Sequence, residues 1–109
     1  PEVQIILKDG MAYYPAKQLL SGVGYDVTSN ERSIYIENAL RQFRFPKKEL
    51  FYVYNDRKFN VVTMPFEIID KEFYFEESWF KRLFLLGIDK SGDTIQIVPI
   101  SSLLEEVAP

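Results

Sequence analysis

The sequence predicts an α+β domain with a mostly antiparallel sheet and two helices. Segments of alternating apolar and polar residues recur along the whole chain, and turn-forming residues separate them. Two further segments carry apolar residues at helical spacing. The order strand, turn, strand, helix, glycine, strand, turn and strand occurs twice, which indicates an internal repeat. No long crossover is needed between strands, so we expect hairpins that each deliver a helix onto one face of the sheet, with roughly seven to nine strands in all.

Length and composition are those of one small globular domain. The chain has 109 residues, 47% of them hydrophobic, and a net charge of −3. We therefore predict a single folded domain over residues 1–109. No apolar run approaches the ~18 residues that a membrane span requires, so we expect no span in this segment. Because the sequence opens at Pro1 without a methionine, we expect a processed or excised piece, with any signal peptide outside it.

The first repeat opens with a hairpin and continues into a helix. Asp9-Gly10 is a strong signal for a tight turn between two strands. Pro15 suits a first helical position, because its missing N–H costs nothing there. Gly24 is expected to end the helix with a positive φ. The predicted elements are strands at 3–7 and 11–14, a helix at 15–23, and strands at 25–27 and 33–36, within a repeat of about 3–37.

The middle of the chain is predicted to consist of strands and turns. Phe43 and Phe45 alternate with Gln42 and Arg44, so the two rings should share one face of a strand. Asn55-Asp56-Arg57 is a hairpin-loop signal. The predicted strands of this segment, residues 38–64, lie at 41–45, 50–54 and 58–63.

The second repeat follows the same order as the first. Asp70-Lys71 stands where the first copy has its turn, and Glu76 and Glu77 fall in the first helical turn, where the helix dipole favours negative charge. Gly87, 63 residues after Gly24, is expected to end this helix with a positive φ. The predicted elements are strands at 66–69 and 72–75, a helix at 77–86 and a strand at 94–97, within a repeat of about 65–98, and a tail at 99–109 with a short helix at 103–107. The predicted core is Ile5, Leu7, Tyr13, Leu19, Leu20, Val23, Val27, Ile34, Ile36, Val61, Ile68, Phe73, Phe80, Leu83, Phe84, Ile95 and Ile97.

The residue types exclude several kinds of chemistry. The chain has no histidine and no cysteine. Histidine-based triads, cysteine nucleophiles, disulfides and most zinc, copper, haem and iron–sulfur sites need one or the other. We therefore predict no catalytic residues, no metal site and no cofactor, and a protein that is not an enzyme.

Three local motifs have both a chemical and a structural interpretation. Glu76 and Glu77 are paired carboxylates, but neighbours on a helix point in different directions, so we interpret them as helix-start charge. The segment 89–93 has the spacing of a calcium loop, yet Ile100 stands where a bidentate glutamate is required, which favours a plain turn. Trp79 lies beside Phe80 and is interpreted as core rather than as a ligand platform.

The turn and helix-end residues of the first copy follow a pattern known from one family. They are Asp9-Gly10, Tyr13-Tyr14-Pro15, Leu19-Leu20, Gly24 and Val27, followed by Ile34-Tyr35-Ile36. With these residues the chain resembles the copper amine oxidase N-terminal-like domain, also called the stalk domain. The second copy matches in outline through Phe73-Tyr74-Phe75, Leu86-Gly87-Ile88 and Ile95-Gln96-Ile97. It departs from the pattern at Glu76-Glu77-Ser78, where the family prefers proline, and in a shorter final turn. The resemblance covers about residues 3–98.

The resemblance implies a non-catalytic module. Such domains are appendages, and similar modules occur widely in exported and surface proteins of Gram-positive bacteria. The copper site and quinone cofactor of the amine oxidases belong to a different domain. We therefore expect a secreted or cell-surface location and a role as spacer, wall-associated adaptor or protein-interaction domain.

One segment also suggests a ligand surface. Residues 38–60 carry six basic and two acidic side chains, and aromatic residues are interleaved with them. Rings beside cations can hold an anionic polymer, although a half-buried hairpin produces the same alternation. The overall acidity argues against nucleic acid. The alternative function is therefore binding of an anionic cell-wall polymer or glycan by the hairpin at 41–59, through Arg44, Lys47, Lys48, Tyr52, Tyr54, Arg57 and Lys58. The partner is then another protein or a wall polymer.

Overall fold

The computed structural model describes residues 3–91 and 94–99, and the side chains of residues 3–88. Strands and two helices make up this part of the chain, and the strand pairs are antiparallel. The predicted α+β class with a mostly antiparallel sheet is confirmed. The elements are β1 Ile6–Lys8, β2 Met11–Pro15, α1 Ala16–Ser21, β3 Asp26–Ser29, β4 Ser33–Glu37, β5 Gln42–Pro46, β6 Phe51–Tyr54, β7 Arg57–Asn60, β8 Phe66–Ile69, β9 Glu72–Glu76, α2 Glu77–Phe84, β10 Leu86–Ser91 and β11 Thr94–Pro99.

The described strands form three sheets rather than the one sheet expected. A five-stranded sheet has the order β3-β4-β5-β6-β7, so each strand pairs with the next one along the chain. A four-stranded sheet has the order β1-β2-β9-β8, and β10-β11 form a separate hairpin. Helix α1 carries the chain away from β2, and β9 takes the position beside β2, with Tyr14 opposite Phe75.

Three predicted hairpin turns have the conformation that tight two-residue turns require. Both central residues of a type I′ turn have positive φ, which matches the twist of the flanking strands. Asp9-Gly10, Asn55-Asp56 and Asp70-Lys71 all have positive φ at both residues. The middle loop is one residue shorter than predicted, because Arg57 already belongs to β7.

The first helix is shorter than its predicted range of 15–23. Pro15 ends β2 and stands at the N-cap, and α1 ends at Ser21. Gly24 has a φ of +96°, as predicted. This left-handed residue turns the chain back so that the N–H of Tyr25 donates to the carbonyl oxygen of Leu20.

The second helix ends at a different residue from the one expected. Leu85 has the left-handed conformation, with a φ of 55° and a ψ of 42°, and its N–H donates to the carbonyl oxygen of Phe80. Gly87 lies inside β10, opposite Val98, so its assignment as the helix-ending glycine was wrong. Gly87 was misread because Leu85 adopts the left-handed conformation two residues earlier, although a side chain disfavours that conformation.

The core lies between α2 and the two larger sheets and is dominated by aromatic rings. Phe75 contacts Phe45, Phe66, Phe80 and Phe84 with ring centroids 5.0–6.3 Å apart, mostly edge to face. Such pairs contribute about 0.5–1.5 kcal/mol each beyond the area they bury. The fully buried larger side chains are Tyr14, Phe43, Phe45, Phe75, Phe80, Leu20, Ile34 and Ile36.

Part of the predicted core is wrong. Ile5, Leu7 and Ile68 are 39%, 77% and 45% exposed. Leu7 and Ile68 lie on β1 and β8, the two edge strands of the four-stranded sheet in the described part of the chain. Val23 and Val61 are only partly buried. Side chains of Ile95 and Ile97, the turn at 92–93 and the tail beyond Pro99 lie outside the described part of the chain.

Candidate functional site: the outer face of the five-stranded sheet

Alternation along β5 assigns its residues to two faces of the five-stranded sheet. Phe43 and Phe45 are buried on the inner face, toward the core. Arg44 therefore lies on the outer face. The register places it between Tyr35 of β4 and Val53 of β6, and Val53 in turn lies opposite Lys58. The outer face thus carries two cations and a tyrosine in one row across the sheet.

A groove opens at one end of this outer face. It has a volume of about 950 Å³ and lies between the turn before β4 and the segment that joins β5 to β6. The charged residues along it are three cations and two carboxylates, and two aromatic rings contribute to its wall. The charged and aromatic side chains that line it are Glu31, Arg32, Tyr35, Arg44, Lys48, Glu49 and Phe51.

Lys58 joins this surface through an aromatic ring. Its Nζ lies 4.4 Å from the centre of the Phe51 ring, a cation–π contact that holds the long side chain over the outer face. Phe51 also lines the groove. Sequence reasoning did not select Phe51, although its alternation with Tyr52 would have placed one of the two on this face.

The two tyrosines predicted to bind a ligand face the other way. The Tyr54 ring stacks on Phe43 with centroids 4.7 Å apart, and the Tyr52 ring lies 5.6 Å from Phe45 and 6.3 Å from Trp79. Burial raises the pKa of Tyr52, and the nearby Arg82 lowers it to a smaller extent. Tyr52 and Tyr54 are therefore part of the packing between the sheet and α2, which leaves Arg44 and Lys58 on the outer face and Lys48 beside the groove as the predicted site residues.

The remaining predicted cations lie apart from the groove. Arg57 is exposed and is paired with Tyr54, so it belongs to the inner-face side of β7. The backbone N–H of Lys47 donates to the carbonyl oxygen of Arg32, which closes the groove-side turn. Of the seven predicted residues, Arg44 and Lys58 lie on the outer face, Lys47 and Lys48 lie in the turn after β5, and the other three, Tyr52, Tyr54 and Arg57, lie on the inner face.

Arg41 has a structural role that the sequence did not reveal. Its guanidinium donates to the hydroxyl groups of Tyr54 and Tyr25 and, at 2.6 Å, to the carbonyl oxygen of Leu83. Burial by itself lowers the pKa of Arg41, but the hydrogen bonds to Tyr54 and Tyr25 outweigh it and raise the pKa overall. The Asn38 side chain positions Arg41 by accepting from its backbone N–H at 2.8 Å.

The glutamates at the start of α2 also have structural partners. The Glu76 carboxylate accepts from the backbone N–H and the hydroxyl of Ser78, which is N-terminal capping. The Glu77 carboxylate accepts from the Tyr14 hydroxyl at 2.9 Å. Trp79 is buried, with the Arg82 guanidinium 4.3 Å from its ring centre. Within the described residues, no group of three or more Asp and Glu side chains is placed to hold a metal ion.

Comparison with known proteins assigns neither a family nor a function to this chain. No family model, no curated protein and no solved structure matches this chain. Neither helix of the described part is long and apolar enough to cross a membrane.

Proposed function

We propose that this chain is a non-catalytic interaction module of an exported or cell-surface bacterial protein. The observation that carries the proposal is the division of the five-stranded sheet into two unlike faces. The inner face packs its rings into the core, whereas the outer face presents charged side chains and two rings around an open groove. A face of that kind is suited to binding and not to chemistry, because it offers no enclosed site from which water is excluded.

The stalk-domain resemblance supports the exported location. It rests on the turn and helix-end residues of the first copy, and Gly24 does have the left-handed conformation that this pattern requires. The resemblance also supports a role as spacer or adaptor, in which the module positions another part of a longer protein.

We further propose that the chain is an internal duplication with an offset of 61 residues rather than 63. With this offset Asp9-Gly10 corresponds to Asp70-Lys71, and both turns have positive φ throughout. Gly24 corresponds to Leu85, and both have positive φ at a helix end. The offset also makes Tyr14 equivalent to Phe75, the residue opposite to it.

A second candidate function is binding of an anionic wall polymer in the groove. It is favoured by Arg32, Arg44 and Lys48 around one opening, with Lys58 held nearby over Phe51. Glu31 and Glu49 flank the same opening, so an anionic chain would have to follow a defined path between them. The proposed polymer site does not include Lys47, Tyr52, Tyr54 or Arg57.

Retention on purified Gram-positive cell wall at low and high salt tests both functions. Polymer binding predicts retention that high salt abolishes and that the double variant Arg44→Ala, Lys48→Ala loses. The matched control is Lys17→Ala, Lys81→Ala, which removes two exposed cations outside the groove. Retention that depends on neither salt nor the groove cations favours the adaptor role. Release of soluble wall fragments by the purified chain would contradict a non-catalytic module.

A further inference from the structure

Strand β7 is an edge of the five-stranded sheet. Among the described strands it pairs with β6 alone. The N–H of Val61 donates to the carbonyl oxygen of Leu50, and hydrogen-bonded positions alternate along an antiparallel pair. Arg57 and Phe59 therefore exchange backbone hydrogen bonds with β6, as expected beside a two-residue turn. The backbone N–H and C=O groups of Lys58 and Asn60 point away from β6, and no described strand pairs with them.

The side chains of β7 divide between the two faces of this edge. Lys58 lies on the outer face, over Phe51. Arg57 and Phe59 lie on the inner-face side, where the Phe59 ring stacks on Tyr52 with centroids 5.3 Å apart. All four residues of the strand are exposed, and Phe59 is 39% exposed. The edge thus presents Lys58 on the outer face, and Arg57 together with the Phe59 ring on the inner face.

We propose that β7 binds an extended acidic peptide by adding it as a sixth strand. An added strand would satisfy the free N–H and C=O groups of Lys58 and Asn60, which is how sheet edges bind peptides. Specificity would come from cross-strand pairs: an acidic residue opposite Arg57, another opposite Lys58 and an apolar residue opposite Phe59. An antiparallel peptide would therefore contain the order apolar, acidic, acidic.

Charge distinguishes this occupant from a second copy of the chain. Two β7 strands side by side would bring four cations into one short ribbon, and lysine on an edge is a common device against self-pairing. An acidic peptide instead neutralises both cations. This inference rests on the proposed interaction role but uses the backbone edge of β7, which shares only Lys58 with the surface around the groove. Loss of wall retention in Arg44→Ala, Lys48→Ala and loss of peptide binding in Asn60→Pro therefore report on the two proposals separately.

The test is fluorescence polarisation with the labelled peptide Thr-Thr-Val-Glu-Glu-Thr and the whole chain at low salt. We expect binding that weakens at least about tenfold in Lys58→Glu, because the cross-strand charge pair becomes repulsive. A peptide with lysine in place of both glutamates should not bind. Equal binding of the two peptides, or no binding of either, would overturn the proposal.

Two further variants separate strand addition from simple charge attraction. Asn60→Pro removes one outward N–H without changing charge, and proline is tolerated on edge strands. We expect it to weaken peptide binding at least about fivefold, whereas Asn60→Ala, which keeps the N–H, should bind as the parent does. Circular dichroism checks that both variants are folded, and Lys58→Glu still tests the charge pairing with the peptide if the proline variant is not.

The remaining outcomes are also informative. If Asn60→Pro is folded and binds as tightly as the parent, the peptide does not add to β7 and the proposal is wrong. Lys17→Ala should leave peptide binding unchanged, because Lys17 lies on α1, which packs against β3 at the opposite edge of the five-stranded sheet. A concentration-dependent dimer in ultracentrifugation that Asn60→Pro abolishes would assign the edge to a second copy instead.

Discussion

The guanidinium of Arg41 donates a hydrogen bond of 2.6 Å to the carbonyl oxygen of Leu83, at the end of α2. The same group donates to Tyr25, just before β3, and to Tyr54, at the end of β6. One side chain therefore ties the five-stranded sheet to the helix that joins the four-stranded sheet to β10. Its positive charge also lies at the negative end of the helix dipole.

Replacement of Arg41 by lysine should be costly even though the charge is kept. One ammonium group cannot reach three acceptors that the planar guanidinium reaches at once. We expect Arg41→Lys to lower the free energy of unfolding by about 1.5–3 kcal/mol, the range for hydrogen bonds to charged groups. Urea denaturation measures this loss. The control is Arg44→Lys on the outer face, which should change stability by less than about 0.5 kcal/mol.

The two left-handed helix ends should respond oppositely to substitution. Gly24 has a φ of +96° and open space around an added Cβ, so the cost of Gly24→Val is one of backbone conformation. We expect a loss of about 1–2 kcal/mol. Leu85→Gly relieves the same kind of strain at the end of α2 and should be as stable as the parent or up to about 1 kcal/mol more stable. Thermal melting decides this. A destabilised Leu85→Gly would contradict the equivalence of the two positions.

Removal of the α2 cap should destabilise the protein moderately. The Glu76 carboxylate is the acceptor for the backbone N–H of Ser78 in the first turn. We expect Glu76→Ala to cost about 1 kcal/mol, as other N-cap losses do. Urea denaturation is again the measurement, with Glu31→Ala at the exposed groove rim as the control. Equal stability of the two variants would show that the cap contributes nothing.

Alkaline pH should weaken the fold through two phenols, that of the buried Tyr13 and that of the half-buried Tyr52. Burial raises the pKa of Tyr13 and Tyr52 above the ordinary value of 10.0. Since the folded state then holds these protons more tightly than the unfolded state, their contribution is fully present below pH 10 and declines as the pH rises through the higher folded-state pKa. We expect the urea concentration at the midpoint of unfolding to be constant up to about pH 9 and to fall beyond about pH 10. Tyr13→Phe should flatten that fall, and Tyr35→Phe, on the outer face, is the matched control.

The elements of the fold could largely be predicted, because turn chemistry and residue spacing act locally. Asp9-Gly10, Asn55-Asp56 and Asp70-Lys71 all form the hairpin turns expected of them. Gly24 has the positive φ predicted for it, and it turns the chain back after α1. The assignment of Gly87 to the end of α2 was wrong because glycine favours the left-handed conformation but does not prevent Leu85 from adopting it.

The candidate site was only half predictable, because alternation does not specify register. A period of two assigns the residues of each strand to two faces. It does not say which of these faces continues into which face of the neighbouring strand. Arg44 and Tyr52 both looked available for a ligand. The register places Arg44 beside Val53, and therefore places Tyr52 on the opposite face with Phe45. Arg41 was missed for a similar reason, since its partner Leu83 is remote in sequence.

The pairing of β2 with β9 has a consequence for the order of folding. Strands β3 to β7 pair only with their neighbours in sequence, so this meander needs little loop closure to form. The pair of Tyr14 and Phe75 joins two segments that are distant in sequence, and its formation closes a loop that includes the whole meander. We expect the meander to form early in refolding and also on the ribosome, before β9 has been synthesised. In the hairpin of β1 and β2, the free edge of β2 then stays unpaired until β9 has been synthesised and pairs with it.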